Sequence, residues 1–301
     1  MIRTRKRRYY LLLYLAPAAI LYAVFMLIPI LQSLRYSLFT GRGLVPDEFV
    51  GFDNYVKLFT QFPFRDRFIN VLKNNFYYFA LVMVFQNAFG FVLAILITRK
   101  IKGSKQFKTL FFIPTALSAV IVGFIFKLVL NPVWGIFNIA LKSLGLEVLI
   151  RSWLGDPTIA LPVLAIVTAW HNIGIPVIFF TAGIDSISVD LVEASRIDGV
   201  SVWGEIRHII IPILAPIIGI VTILTFVGNF SEFEIVYSMQ SVYGNPEYST
   251  DIFGALFYRT TFGSQVNSVN DVGLGATIAS VMFIIIFLGV TLIQRFSKRR
   301  T

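Results

Sequence analysis

Few side chains in this sequence of 301 residues are equipped for chemistry, and the most suggestive of them sit inside or beside apolar runs. Trp170, His171 and Asn172 stand together midway along one run. Thr225, Asn229 and Glu232 follow at i, i+4 and i+7 in another, which places them on one face of a helix. Amide, hydroxyl and carboxylate groups beside aromatic rings are what hold a polyhydroxylated solute in a mostly preformed cavity. The same groups would serve equally as hydrogen bonds between membrane helices, and His171 taken alone reads as a structural hydrogen bonder. Covalent or hydrolytic chemistry lacks its parts. There are no cysteines and two histidines. The sequence holds no G-x-x-x-x-G-K-[ST] phosphate loop, no H-E-x-x-H helix and no G-x-S-x-G elbow. The nearest fragment, Gly103-Ser104-Lys105, lacks the upstream glycine. No metal site and no catalytic activity are expected of this chain.

The elements that must position these residues are set by composition. Hydrophobic residues make up 56% and charged residues 14%, against about 45–50% and 25% in soluble domains. Mean hydropathy is +0.77. Crossing a ~30 Å hydrocarbon core takes about 20 apolar residues in a helix. Six runs qualify, near 10–31, 76–98, 109–128, 159–182, 211–230 and 272–293. The second carries Gln86 and Asn87, and the fourth Trp170–Asn172, so neither is plain lipid-facing helix. The first follows Arg3, Arg5, Lys6, Arg7 and Arg8, but its apolar run is too long for a signal peptide and no A-x-A site follows, so it reads as an uncleaved anchor.

Charge placement sets the orientation. With both termini cytoplasmic, the inner segments hold 16 of the 26 Lys and Arg and 5 of the 16 acids, and the outer loops hold the rest. This is the positive-inside asymmetry, and it accounts for the net charge of +10 without nucleic acid. The spans carry almost no ionisable groups: His171 lies well inside, and Glu232 and Glu234 near the outer end of the fifth. Coupling-ion ligands at the midplane, the usual equipment of an ion-driven carrier, are missing.

The inner loop at 183–210 reads as helix–turn–helix. Ser188 or Asp190 suits the first cap, Gly199 a left-handed C-terminal position and Ser201 the second cap. Val202, Ile206 and Ile209 make an apolar stripe, Ala194 and Ser195 leave room for a close partner, and Pro212 ends the hydrogen-bonded run. On these features alone the loop could be an amphipathic connector on lipid headgroups.

Glu193-Ala194-Ser195, then Asp198-Gly199, Ile209 and Pro212, resembles the EAA loop of permease subunits in bacterial binding-protein-dependent ABC importers. Gly51 to Tyr55, the stretch from Asn74 through Lys105-Gln106-Phe107 to Phe112-Ile113-Pro114, Asn131-Pro132 with Gly135 to Asn138, Trp170 with Pro176, and Phe233-Glu234 with Tyr237 and Gly244-Asn245-Pro246 are similar to the maltose-type carbohydrate branch. Ser195, Val200, Ile206 and Ser188 depart from the usual residues, roughly keeping size or polarity.

The resemblance implies an all-α membrane protein of six transmembrane helices with the type I ABC importer permease fold, forming one transmembrane domain over residues 1–301 in a bacterial cell membrane. Glu193, Ala194, Ser195, Asp198, Gly199, Ile209 and Pro212 would couple to an ATPase. Trp170, His171, Asn172, Thr225, Asn229 and, as a looser match, Glu232 would lie at or near the sugar. It also implies a second, homologous permease chain, two ATPase subunits that bind ATP and Mg, and an extracytoplasmic sugar-binding protein; the chain itself would hold no cofactor. Glycerol phosphate or a polyol derivative remains an alternative cargo. An ion-coupled carrier or a membrane scaffold are the rivals of another class.

Overall fold

The computed structural model describes residues 14–41, 45–99, 103–263 and 270–298. The basic residues Arg3, Arg5, Lys6, Arg7, Arg8, Lys100, Lys102, Arg299 and Arg300, and the first four residues of the expected first span, lie outside the described residues.

In chain order the helices are α1 (Tyr14–Tyr36), α2 (Asp53–Thr60), α3 (Phe64–Thr98), α4 (Gln106–Ala116), α5 (Ala119–Val129), α6 (Ile136–Ser143), α7 (Ala160–Asn172), α8 (Gly174–Asp185), α9 (Val189–Ile197), α10 (Val202–Phe230), α11 (Glu234–Gln240), α12 (Phe253–Phe262) and α13 (Val272–Ser297). A two-stranded antiparallel hairpin pairs β1 (Phe39–Thr40) with β2 (Glu48–Phe49). Four helices, α1, α3, α10 and α13, are long and apolar enough to cross a membrane. The pairs α4/α5 and α7/α8 bring the number to six if each bent pair counts as one span.

Those bends correct the simple picture of uniform spans. The third expected span, 109–128, is broken by 95° and the fourth, 159–182, by 50°. The first break follows a 3-10 turn at Ile113–Ala116 containing Pro114, after which Leu117 and Ser118 take extended backbone. In the second, Pro176 has no N–H to return to Asn172, so the ladder opens just ahead of it. A Cβ on Gly174 would sit 2.9 Å from Phe111 O and Thr115 Oγ1, so only glycine lets the two breaks lie side by side. The freed backbone groups find partners there. Thr115 Oγ1 donates to His171 O at 2.9 Å, and His171 Nε2 lies 3.1 Å from Leu117 O. In a medium without water such groups must be satisfied internally.

Two spans begin earlier than the apolar runs. α3 starts at Phe64 because its first turns are amphipathic, and 35 residues give about 52 Å of helix at 1.5 Å per residue. α10 starts at Val202 and runs through Pro212, which therefore does not end the helix. A π-turn at Ile206–Ile210, in which Ile211 N–H donates to Ile206 O, places the wider ring just before the proline.

The chain forms two compact units, Met1–Arg65 with Phe257–Val281, and Asp66–Leu256 with Met282–Thr301. In the first, Asn54 is the clamp. Its Nδ2 donates to Ser37 O at 3.0 Å and Phe39 O at 2.8 Å, and Tyr55 Oη lies 2.8 Å from Ser37 Oγ. Thr277 Oγ1 also reaches Ser37 O, at 3.2 Å. Asn54 and Tyr55 thus tie α2 to the end of α1 and the strand after it, and Thr277 ties the same segment to the first turns of α13. In the second unit, Tyr78, Val82, Leu164, Ala165, Ile235 and Met239 form the main apolar core. Phe180, Ile210 and Leu214 form another, where α8 meets α10.

Candidate functional site

The cavity of interest lies within the second unit, between α3, α7 and α10, with a volume of about 180 Å3. Gln86, Thr168, Asn172, Thr225, Asn229 and Glu232 supply its polar lining, and Ile175, Leu224 and Gly228 the remainder. Four of the six residues expected near a solute, Asn172, Thr225, Asn229 and Glu232, are therefore brought together. Trp170 and His171 are not. Successive helical residues point about 100° apart, so three in a row cannot share one cavity. Trp170 is exposed, packed edge-on against Phe126 with ring centroids 5.2 Å apart. His171 is buried at the joint of the broken spans, and its Nδ1 has no hydrogen-bond partner.

Each lining group is held by a neighbour. A second π-turn, Met83–Ala88, turns Gln86 and Asn87 inward within α3; such bulges recur at functional sites. Asn87 Nδ2 lies 2.9 Å from Thr225 Oγ1, and Gln86 Nε2 donates to Asn87 Oδ1 at 3.4 Å. Asn172 Nδ2 donates to Thr168 O at 3.1 Å, and Asn229 Nδ2 to Thr225 O at 3.2 Å. Tyr78 Oη, fully buried, lies 2.6 Å from Thr168 Oγ1. Asn75 bridges Asn229 O at 3.2 Å and Phe253 N–H at 2.8 Å. Gln86 and Thr168 are the polar lining residues not expected at the solute; the signal of Gln86 is an amide inside an apolar run, and that of Thr168 its place one helical turn before Asn172.

Glu232 reaches the cavity by another route than expected. α10 stops at Phe230, so Glu232 is not on the helical face of Thr225 and Asn229. The chain turns at Ser231, and Glu232 Oε1 accepts the Ile235 N–H at 3.0 Å in the first turn of α11. Burial, with the charge of Glu234 second to it among the raising causes, lifts its pKa to about 7 despite hydrogen bonds from Ile235 and Phe233 N–H that pull it down.

The helix–turn–helix after α8 forms as expected, with one difference. Ser188 occupies the cap position of α9, but its side chain makes no cap bond. At the other end, Val200 N–H donates to Ser195 O at 3.0 Å and Gly199 N–H to Arg196 O at 3.1 Å, with Gly199 left-handed at φ +75°. This double bond pattern is a Schellman closure. Ser201 Oγ accepts the Gly204 N–H at 3.2 Å and caps α10. Ser195 is buried, its Oγ donating to Val192 O at 2.8 Å, while Glu193, Ala194, Asp198 and Gly199 are exposed. Ile209 is half-buried and Pro212 exposed. Arg196 Nε stands 3.6 Å from the buried carboxylate of Glu205, joining the arms of the turn. Around that joint Leu191, Ile197, Val200, Val202 and Trp203 expose apolar surface.

A larger cleft of about 340 Å3 lies elsewhere in the unit, lined by Lys127, Leu130, Asn131, Leu154, Gln240 and Asn245 among others. Gln240 Nε2 donates across it to Leu154 O at 2.6 Å.

Comparison with known proteins agrees with this architecture. The model of the family described as "Binding-protein-dependent transport system inner membrane component" matches residues 86–301. The chain is 33% identical over 264 residues to the lactose transport system permease protein LacF of Rhizobium radiobacter, covering 86% of this chain and 87% of that one. It is 30% identical over 285 residues to the probable ABC transporter permease protein YurN of Bacillus subtilis (strain 168), covering 94% and 93%. A chain in the crystal structure of a bacterial alginate ABC transporter, in complex with an alginate pentasaccharide-bound periplasmic protein, superposes with a TM-score of 0.82 at 24% identity, covering 99% of this chain and 97% of that one; this likeness shows the fold. With the family model spanning the cavity, the capped loop and the last helix, the chain belongs to the inner membrane components of binding-protein-dependent transport systems.

Proposed function

We propose that the chain is a permease subunit of an ATP-driven ABC importer that passes a sugar into the cytoplasm. The observation that carries the solute reading is the cavity itself: amide and hydroxyl groups from three helices, with a carboxylate from the turn after α10, converge on one space, as recognition of a hydroxylated solute requires. Its volume of about 180 Å3 falls below the ~300–1,000 Å3 of whole small-molecule sites. A second, homologous permease chain completing the wall accounts for the difference. The lactose relative and the alginate transporter support a carbohydrate cargo, and the periplasmic protein bound to the alginate transporter supports delivery by an extracytoplasmic binding protein.

Energy comes from two partner ATPase subunits that bind ATP and Mg. Their docking surface is the exposed face around Glu193, Ala194, Asp198 and Gly199, with the apolar side chains beside them. α8 leads from this loop to the break at Ile173, beyond which α7 carries Thr168 and Asn172. A tilt imposed on the loop is thus delivered to the cavity wall. Alternating access follows if each nucleotide state favours one arrangement of these packed helices. The whole sequence 1–301 works as one transmembrane permease domain with both termini cytoplasmic, the orientation the basic segments favour.

The test is ATP hydrolysis by the reconstituted complex. Solute-loaded binding protein should stimulate it severalfold. A chain that merely anchors cytosolic partners would show no stimulation, and that result would sink the proposal.

A further inference from the structure

The proposed solute site has a polarity that the family assignment does not supply, and it names the class of sugar. We infer that the cavity selects uncharged sugars and rejects those bearing a carboxylate or phosphate, with Glu232 as the discriminating residue. This inference rests on the reading of the cavity as the solute site.

Three observations carry it. First, Glu232 is the charged residue of the lining, and no Lys or Arg faces the cavity among the described residues. The charge acting on Glu232 from nearby is that of another acid, Glu234. At a pH above 7, where Glu232 is ionised, an anionic solute would enter a space carrying a charge of its own sign, in surroundings less polar than water, where like charges repel more strongly.

Second, the lining keeps acceptor capacity for sugar hydroxyls. The amides of Gln86, Asn172 and Asn229 each commit one of their two hydrogens to a protein oxygen, on Asn87, Thr168 and Thr225 respectively. By contrast, Asn229 Oδ1 is a buried acceptor with no partner. The Glu232 carboxylate accepts the Ile235 and Phe233 N–H groups and, with about four lone pairs in all, keeps capacity to accept more. Sugar hydroxyls donate as well as accept and suit such a wall. A carboxylate or phosphate group offers acceptors alone and brings the Glu232 carboxylate no hydrogen to accept.

Third, two of the lining groups are held in place by bonds to the protein. Asn229 is 5% exposed and its backbone is tied to Asn75, while Glu232 is pinned to the first turn of α11. Discrimination by polarity needs such pre-set groups, because a site built to satisfy hydroxyl donors rejects a ligand that lacks them far more strongly than an apolar pocket rejects a change of size.

The test measures binding of matched sugars to the complete complex in lipid nanodiscs by native mass spectrometry and ligand-induced thermal shift at pH 8. The probes are four neutral disaccharides (maltose, lactose, trehalose and cellobiose), their C6-carboxylate and 6-phosphate derivatives, and their 2-amino analogues. At least one neutral disaccharide should bind, its two anionic derivatives at least tenfold more weakly, and its amino analogue no more weakly than the parent. In Glu232→Gln the neutral-to-anionic ratio should fall below threefold.

Anionic derivatives binding wild type within threefold of the neutral parent would overturn the inference while leaving the sugar site intact. A tenfold ratio that survives in Glu232→Gln would overturn it in the same way. If no disaccharide of any charge binds, the solute-site reading fails and the inference falls with it. The wild-type comparison decides the matter even if the variant does not assemble.

Discussion

Asn87 in the π-turn of α3 and Thr225 in α10 face each other at 2.9 Å, a side-chain pair joining two membrane helices 138 positions apart in sequence. Thr225 Oγ1 also lies 2.9 Å from Val221 O, so its hydrogen has a partner on its own helix as well. Breaking the pair leaves the Asn87 amide facing an apolar group. Membrane helix hydrogen bonds contribute about 0.6 kcal/mol on average and up to about 1.7. Thr225→Val is expected to destabilise the complex by about 1 kcal/mol. A double-mutant cycle with Asn87→Leu should show coupling of similar size, and additive effects would mean the pair is not formed.

Gly199 sits at φ +75° with nothing near its missing Cβ. A side chain there meets no obstacle in this chain, so any damage comes from backbone strain or from the docking surface. Left-handed backbone costs a β-branched residue about 1–2 kcal/mol, while asparagine tolerates it. Gly199→Val is expected to reduce co-purification with the ATPase subunits at least tenfold while membrane insertion persists. Gly199→Asn should retain most of it. Equal recovery with all three residues would count against the coupling role of the turn.

The Arg196–Glu205 pair joins a mostly exposed guanidinium to a buried carboxylate. Exposed pairs contribute about 0.2–1 kcal/mol, but removing the cation leaves Glu205 buried without it, which costs more than the pair contributes. Arg196→Ala should therefore lower ATPase affinity more than Glu205→Gln does, with Arg196→Lys between wild type and alanine. A pull-down titration ranks them, and the reverse order would show that the two residues act separately.

Glu232 makes stability depend on pH. Its pKa rises from the ordinary 4.5 to about 7 in the folded chain, chiefly by burial. A raised carboxylate pKa means that the folded state resists ionisation. Its contribution is fully present below about pH 4.5 and is lost progressively as pH climbs through 7. Glu232→Gln should remove this dependence, stabilising the complex by up to about 3 kcal/mol at pH 8.5 and by much less at pH 5.5. Thermal unfolding at the two pH values checks this, and an equal change at both would refute it.

Local chemistry was the legible part of the sequence. Gly199 and Ser201 mark their turn because a left-handed position and an N-cap are decided by the residues themselves, and both take those positions. Thr225 and Asn229 share a helical face by spacing alone, and both line the cavity. What hydropathy could not carry was direction. A window of apolar residues reads the same whether the helix is straight or bent by 95°, so the joint at Leu117 was invisible. The contacts of His171 and Gly174 that hold it are tertiary. The π-turns at Met83–Ala88 and Ile206–Ile210 were hidden for the same reason: each adds a residue to the ladder without changing composition. Glu232 was placed in the cavity by a periodicity its helix does not have, since α10 ends two residues before it.

The most direct measurement is solute uptake into proteoliposomes containing the complete transporter, with ATP supplied on the ATPase side or absent and with Asn229 intact or changed to alanine. Uptake is expected only with ATP, falling at least tenfold in Asn229→Ala while ATPase subunits remain docked. Uptake without ATP on an ion gradient, or undiminished uptake by Asn229→Ala, would contradict the coupling and site assignments.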